Sequence, residues 1–229
     1  MKLTPQRWTW DGADPDPVRL TGCPAEGPMV WEARLTDDPA TQAYLASLLS
    51  AEEHARLACF HLLGDRQRFL LARGLLRLLV GAFLDTPAES VGFGRGSFGK
   101  PFVVPVAGVP PLHFNVSHSG ELVLLALSRE HEVGVDVEEV RRDQDWEAIA
   151  PRVLSCDEYR EWIRLDPEER LEAFFRAWTR REAGLKAVGL GFSSEASAAS
   201  DSGIALLDLE LREGYQGAVG WRSPERCCV

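Results

Sequence analysis

Residues 174–192 read F-F-R-A-W-T-R-R-E-A-G-L-K-A-V-G-L-G-F, and their spacing predicts a long helix that opens at Pro167. Leu171, Phe175, Trp178, Glu182 and Leu185/Lys186 recur at three- and four-residue intervals, so Glu182 lies on the extension of an apolar stripe. A carboxylate on a buried face is costly unless a partner or a metal compensates it. The plainer alternative is an i,i+4 Glu182–Lys186 pair on a solvated face, worth about 0.2–0.5 kcal/mol. Trp178 on the same stripe weighs against that alternative. Upstream, residues 133–139 read V-G-V-D-V-E-E. On a strand, Asp136 and Glu138 project from one face while Val135 and Val137 project from the other. Paired carboxylates in an apolar segment repel each other unless a cation lies between them, and a hard ion such as Mg²⁺ suits oxygen ligands. The alternative here is an edge strand carrying two solvated acids. Three carboxylates and an ammonium together point to phosphoryl-transfer chemistry.

The rest of the chain frames these two segments. At 229 residues it is long enough for one large domain or two small halves sharing an interface. With 45% hydrophobic and 26% charged residues it reads as an ordinary soluble globular protein. No apolar run approaches the roughly 18 residues of a membrane span, and the first ten residues lack a signal-peptide core, so the cytoplasm is the expected location. The net charge of −10 argues against general nucleic-acid binding. Five scattered cysteines, none in C-x-x-C, make neither a disulfide framework nor a zinc site. The only lysines are Lys2, Lys100 and Lys186, so two of three fall within the motifs that carry chemistry.

Residues 1–27, rich in Pro, Gly and Asp, are expected to be irregular, with Trp8 and Trp10 supplying some order. Met29–Leu35 alternates as a first strand. Ser50 and Glu53 form a capping box for a helix reaching about Leu63, and Asp65 is expected to cap a longer helix with its stripe at Phe69, Ala72, Leu76, Leu79, Val80 and Phe83. Short strands follow near 102–104 and 112–116, and 121–128 and 132–138 are expected to be neighbouring strands. Ser155 and Glu158 form a second capping box. Residues 193–202 read as a small-residue loop, and two weak strands end the chain. R-G-L-L-R (73–77) and E-A-G-L-K (182–186) are candidates for equivalent positions in two diverged halves.

Two more segments carry polar chemistry. In H-F-N-V-S-H-S (113–119), Asn115, Ser117, His118 and Ser119 offer several donors suited to a phosphate. In Gly99-Lys100-Pro101 the proline fixes the chain while Lys100 presents a point charge. This is not a Walker loop, because its spacing and following helix are lacking.

Taken in order, F-G-K-P-F, F-N-V-S-H-S, G-V-D-V-E and W-T-R-R-E-A-G-L-K-A-V-G-L-G-F resemble the motifs of the 4′-phosphopantetheinyl transferases, in the Sfp-type, two-halved branch. S-x-E-E-x-x-R (50–56) and D-x-x-R-F-L-x-A-R (65–73) resemble the N-terminal helices of that branch, and the likeness covers about residues 28–192. The resemblance implies an α/β (α+β type) fold of two pseudo-symmetric halves. Each would be a small antiparallel-rich sheet packed on a long helix, with the active site in the cleft between them. The expected division is an irregular segment 1–27, an N-terminal half 28–125 and a C-terminal half 126–229 that carries the metal site.

The activity so implied is transfer of the phosphopantetheine arm of coenzyme A to a serine of an apo acyl, polyketide or peptidyl carrier protein, releasing 3′,5′-ADP. Such carrier-protein activation serves fatty-acid, polyketide or nonribosomal-peptide synthesis, including secondary metabolites. By resemblance, Asp136, Glu138 and Glu182 hold Mg²⁺, with Mn²⁺ also admissible. Lys100, Ser117, His118 and Lys186 match positions that meet the coenzyme A phosphates, and Arg56 matches a basic position near its 3′-phosphate. Gly99 and Asn115 belong to the same coenzyme-binding motifs. Glu182, Lys186 and Asp136 form the implied catalytic set, with Glu182 accepting the serine proton directly or through water. Two residues depart from the pattern: Arg181 stands where the family usually has lysine, and Glu53 where some members are basic. A monomer would suffice, with no nucleic acid and no membrane as partner. A Mg²⁺-dependent nucleotide or pyrophosphate hydrolase, and a non-catalytic coenzyme A-binding relative, are the competing readings.

Overall fold

The computed structural model describes residues 2–4, 6–8, 27–96, 99–143, 145–189 and 203–222. The first half of the chain contains β1 (Lys2–Leu3), β2 (Gln6–Trp8), β3 (Met29–Arg34), α1 (Pro39–Ser47), α2 (Ala51–Ala58), α3 (Leu63–Leu84), β4 (Phe93–Arg95), β5 (Pro101–Val103), β6 (His113–Ser119) and β7 (Leu122–Ser128). The second contains β8 (Val133–Glu139), α4 (Trp146–Val153), α5 (Cys156–Trp162), α6 (Pro167–Val188), β9 (Ile204–Leu209) and β10 (Tyr215–Arg222).

Two four-stranded sheets organise the chain, in the orders β2-β3-β7-β6 and β1-β9-β10-β8. Each has an antiparallel trio with one short parallel strand added at its outer edge. Each also has its own 22-residue helix, α3 for the first and α6 for the second. The two-halved α/β architecture expected from the motifs is therefore present. Trp31, Ala33, Leu125 and Leu127 pack against the α3 stripe on the outer face of the first sheet. The inner faces meet in a second core, where Val30, Leu122, Leu124 and Ala126 pack against Val133, Val135, Val137 and Val219. Strand β7 is buried along its whole length because it serves both cores. A third cluster joins α4 and α5 to the start of α6 around Trp162, Phe174 and Phe175.

Local chemistry accounts for the element ends. Both capping boxes form, at Ser50–Glu53 and Ser155–Glu158. Pro167 stands at the first turn of α6, and Gly189, at φ 75°, ends it in the left-handed conformation.

Several expectations are corrected. Residues 1–27 are not irregular throughout, since β1 and β2 each add to a different sheet; their few backbone bonds follow from neighbouring strands and carry no composition signal. Helix α2 ends at Ala58 rather than near Leu63, and α3 begins before Asp65 with Leu62 as its cap. Asp65 instead pairs with Arg68 one turn on, at 2.6 Å. Strands β7 and β8 are close in space but lie in different sheets. The expected boundary between residues 125 and 126 falls within β7; the chain leaves the first sheet after Ser128 and enters the second at Val133. Helix α1 was legible in Asp38-Pro39, an N-cap followed by proline at the first helical position. Trp10, Phe98, Gly191–Phe192, the loop 193–202 and the Cys227–Cys228 tail lie outside the described residues. Among the described residues no helix is long and apolar enough to cross a membrane.

Candidate active site

The alternation of β8 sends its valines into the shared core and leaves Gly134, Asp136 and Glu138 facing α6. Gly134 is what lets the helix close on the strand: a Cβ there would lie 2.1 Å from the Ala183 carbonyl oxygen and 2.3 Å from the Ala187 nitrogen. The close approach brings Glu182 and Lys186 over the strand acids. Asp136 is 3% exposed and Glu182 9%. Burial pushes the carboxyls of Asp136, Glu138 and Glu182 above the ordinary carboxylate range, and Asp136 repels the other two further upward.

Asp136 Oδ1 accepts from Lys186 Nζ at 2.6 Å and from Ser117 Oγ at 2.9 Å. Its other oxygen, Oδ2, is buried without a hydrogen-bond partner among the described residues. Lys186 Nζ also donates to Ser117 Oγ at 3.1 Å and to the Val135 carbonyl at 3.3 Å, so three acceptors surround its three protons. Among the described residues no group of three or more His, Cys, Asp or Glu side chains is drawn into a ready metal cage. The donor set nevertheless fits a hard divalent ion: three mutually repelling carboxylates of raised pKa, one of them with an orphaned buried oxygen.

Among the described residues no strand pairs with β8 on the edge that faces β6, and side chains bond its backbone there. Asn115 Oδ1 accepts from the Val135 amide at 2.9 Å, and Ser119 Oγ accepts from the Glu139 amide at 3.1 Å. Lys100 Nζ reaches the Val133 carbonyl at 3.3 Å and the Ala187 carbonyl at 3.5 Å while pairing with Glu132 Oε2 at 2.6 Å. Glu132 Oε1 meets His113 Nδ1 at 3.0 Å. That hydrogen bond and the Lys100 ammonium outweigh burial and pull the Glu132 carboxyl down to about 2. Gly99, at φ 79°, turns the β4–β5 hairpin so that Lys100 crosses from the first half to the second.

On the opposite side of β6 lies a basic cavity of about 690 Å³. Arg56, Arg73, Arg77, Arg95 and His118 line it, together with Phe69 and Phe93. Glu53 organises its floor: Oε2 accepts from Arg77 Nε at 2.7 Å and from the Ser50 amide at 2.9 Å, while Oε1 accepts from Arg73. Burial opposes ionisation of Glu53, but these donors hold its carboxyl below the usual range. Arg77 further ties down the carbonyls of Ala88 and Val91 at 3.1 and 3.0 Å, which fixes the loop leading into β4. The Arg73 guanidinium lies over the Phe93 ring at 4.4 Å. His118 is open to solvent at its edge, yet the surrounding walls, with Arg68 and Lys186 nearby, keep its pKa below the ordinary value.

The structure thus divides the expected site residues between two places. Arg56 and His118 face the cavity. Asp136, Glu138, Glu182 and Lys186 gather beyond β6, and Lys100 bridges the halves beside them. Asn115 and Ser117, expected to meet phosphate, turn toward β8 because alternate residues of a strand point to opposite sides. Arg181 reaches the Val153 carbonyl at 2.6 Å, at the end of α4. Sequence reasoning missed Arg73 and Arg77 as cavity residues, although an i,i+4 arginine pair beside the α3 stripe was the signal. It also missed Glu132, for which no local pattern exists.

Two family models match the chain, one over each half. Residues 36–130 match the family model described as 4′-phosphopantetheinyl transferase, N-terminal, and residues 132–218 match that of the 4′-phosphopantetheinyl transferase superfamily. The chain is 37% identical over 165 residues to the 4′-phosphopantetheinyl transferase HetI of Nostoc sp., covering 72% of this chain and 69% of that protein. It is 35% identical over 197 residues to the 4′-phosphopantetheinyl transferase psf-1 of Bacillus pumilus, covering 79% and 82%. With the 4′-phosphopantetheinyl transferase AcpT of Escherichia coli K12 it shares 39% identity over 124 residues, 54% and 58% of the two chains.

Proposed function

The chain belongs to the 4′-phosphopantetheinyl transferase superfamily and is a transferase that moves phosphopantetheine to carrier proteins; from that premise we propose which residues carry each part of the reaction. The observation that carries the proposal is the division made by β6. His118 faces a cavity ringed by arginines, and its neighbours Ser117 and Ser119 face the acids of β8. A nucleotide polyanion at one end and a pyrophosphate at the other need that pair of environments side by side.

The 3′-phosphate and adenosine portion of coenzyme A occupies the arginine cavity, with Arg56 and His118 as its contacts. Lys100 and Lys186, with the Gly99 turn that aims the former, meet the pyrophosphate. Asp136, Glu138 and Glu182 hold Mg²⁺, or Mn²⁺ in its place, which when bound offsets charge on the pyrophosphate oxygens. The hydroxyl of the carrier serine attacks the phosphorus bearing the pantetheine arm. The bond from that phosphorus to the bridging oxygen breaks, and 3′,5′-ADP leaves with the electron pair. Glu182 takes the serine proton, directly or through water. Lys186, now on Asp136, is one helical turn from Glu182 and follows the charge that moves onto the leaving oxygen. Asn115 and Ser117 act on the seam rather than on phosphate. The protein works as a cytoplasmic monomer with coenzyme A and an apo carrier of the acyl, polyketide or peptidyl kind.

The test is incubation with coenzyme A, Mg²⁺ and a panel of apo carriers. The expected outcome is a carrier mass increased by one phosphopantetheine, with 3′,5′-ADP released in equal amount. Cleavage of coenzyme A without carrier modification would establish a hydrolase instead, and coenzyme binding with neither product a non-catalytic relative.

A further inference from the structure

Three alternate residues of β6 form a ladder along β8 at one register. Asn115 bonds the Val135 amide, Ser117 Oγ donates to Asp136 Oδ1, and Ser119 Oγ donates to Glu138 Oε2 at 2.9 Å while accepting from the Glu139 amide at 3.1 Å. The hydroxyls belong to the first sheet and the acids to the second. We propose that Ser119 is a positioning residue for Glu138, as Ser117 is for Asp136, so that hydroxyls of one half orient the metal-binding carboxylates of the other. The inference rests on the reading that these acids hold a divalent ion.

The chemistry of the hydroxyl makes the assignment specific. Serine has one proton to donate and lone pairs to accept, and Ser119 uses both at once. The Glu139 amide fixes the oxygen, and its proton is thereby aimed at the Glu138 carboxylate. Glu138 needs such a restraint more than Asp136 does. It has a longer side chain, is only half-buried, and is repelled by Asp136, with Arg141 adding a competing attraction from the solvent side. Without the Ser119 proton the carboxylate is free to turn outward. Ser117 is a less clean probe because it also accepts from Lys186.

The experiment is calorimetric titration of Mg²⁺ into wild type, Ser119→Ala, Ser119→Thr and Asp136→Ala. KM for coenzyme A is measured at saturating Mg²⁺, and melting is followed in chelator. Loss of an outer hydrogen bond to a metal ligand typically weakens the metal about 10–100-fold. Ser119→Ala is expected to weaken Mg²⁺ by about tenfold or more on that basis, with KM for coenzyme A changed less than about twofold, and Ser119→Thr to restore the affinity. Should the alanine variant fail to fold, Ser119→Cys keeps the volume with a weaker donor and is expected to weaken Mg²⁺ in the same sense. Wild-type Mg²⁺ affinity in the alanine or cysteine variant, with Asp136→Ala unable to bind, would overturn the role of Ser119 and leave the metal assignment standing. Equal Mg²⁺ binding by Asp136→Ala and wild type would remove the metal assignment and this inference with it.

Discussion

Asp136 has one oxygen between Lys186 and Ser117 and the other without a partner, so its charge is held by a single cation in a buried place. Asp136→Asn keeps the shape and removes a ligand charge; metal-dependent transfer should be lost while the melting curve stays cooperative, since the variant also relieves repulsion among the acids. Glu182→Gln should lower kcat by about 10²-fold or more, the scale of a lost general base, in single-turnover transfer at saturating carrier. Arg56→Ala should raise KM for coenzyme A far more than KM for 3′-dephospho-coenzyme A. The pH dependence has two opposing parts. Asp136, Glu138 and Glu182 have raised folded pKa values, so without metal their contribution is favourable at low pH and is lost as pH rises through those values. Glu132 is lowered from 4.5 to about 2, so its contribution is full above 4.5 and disappears as pH falls through about 2. Glu132→Gln should therefore melt below wild type at neutral pH, with the two curves converging near pH 2.

Two glycines a short distance apart act in opposite ways on α6. Gly134 lies under the helix, and the atoms an added Cβ would strike are backbone atoms of Ala183 and Ala187, which cannot turn aside. Gly134→Ala should cost about 1–3 kcal/mol or more, the range for overpacking, and should reduce transfer because Glu182 and Lys186 travel with the helix. Gly184 is inside the helix with only Leu206 Cδ2 near, at 4.0 Å. Gly184→Ala should stabilise by about 0.5–1 kcal/mol through helix propensity and leave transfer intact. Urea denaturation of the two variants measures both effects, and a matching loss at both positions would contradict the packing described for α6.

The halves share the core between their sheets, in which Leu124 and Val135 are both fully buried. Glu32 of β3, itself buried, meets Arg212 of the second half with Oε1 at 3.0 Å from Nη2. One cooperative unfolding transition is therefore expected rather than two, by calorimetry and by denaturant. Arg212→Ala leaves the Glu32 carboxylate buried without its cation, and should cost roughly 1–3 kcal/mol, the scale of an unsatisfied buried group. Glu32→Leu with Arg212→Ala should recover part of that loss, because neither polar group is then left unpaired.

Local chemistry settled much of this protein in advance. The stripe through Phe175, Trp178 and Glu182 fixed α6, the Asp136/Glu138 alternation placed both acids on one face of β8, and two capping boxes set the starts of α2 and α5, because period and capping depend only on near neighbours. The ordered motifs carried the family and with it the two-halved plan. Contacts between distant segments lay beyond that reach. That Ser117 bonds Asp136 and Ser119 bonds Glu138 depends on how β6 lies along β8, and that Glu53 becomes an arginine anchor depends on α2 meeting α3. The pairing of Lys100 with Glu132 across the halves is of the same kind. A hydrogen bond between residues far apart in the chain leaves no periodic trace in the sequence, so only the packing of the two sheets decided which polar side chains face the cavity and which hold the acids.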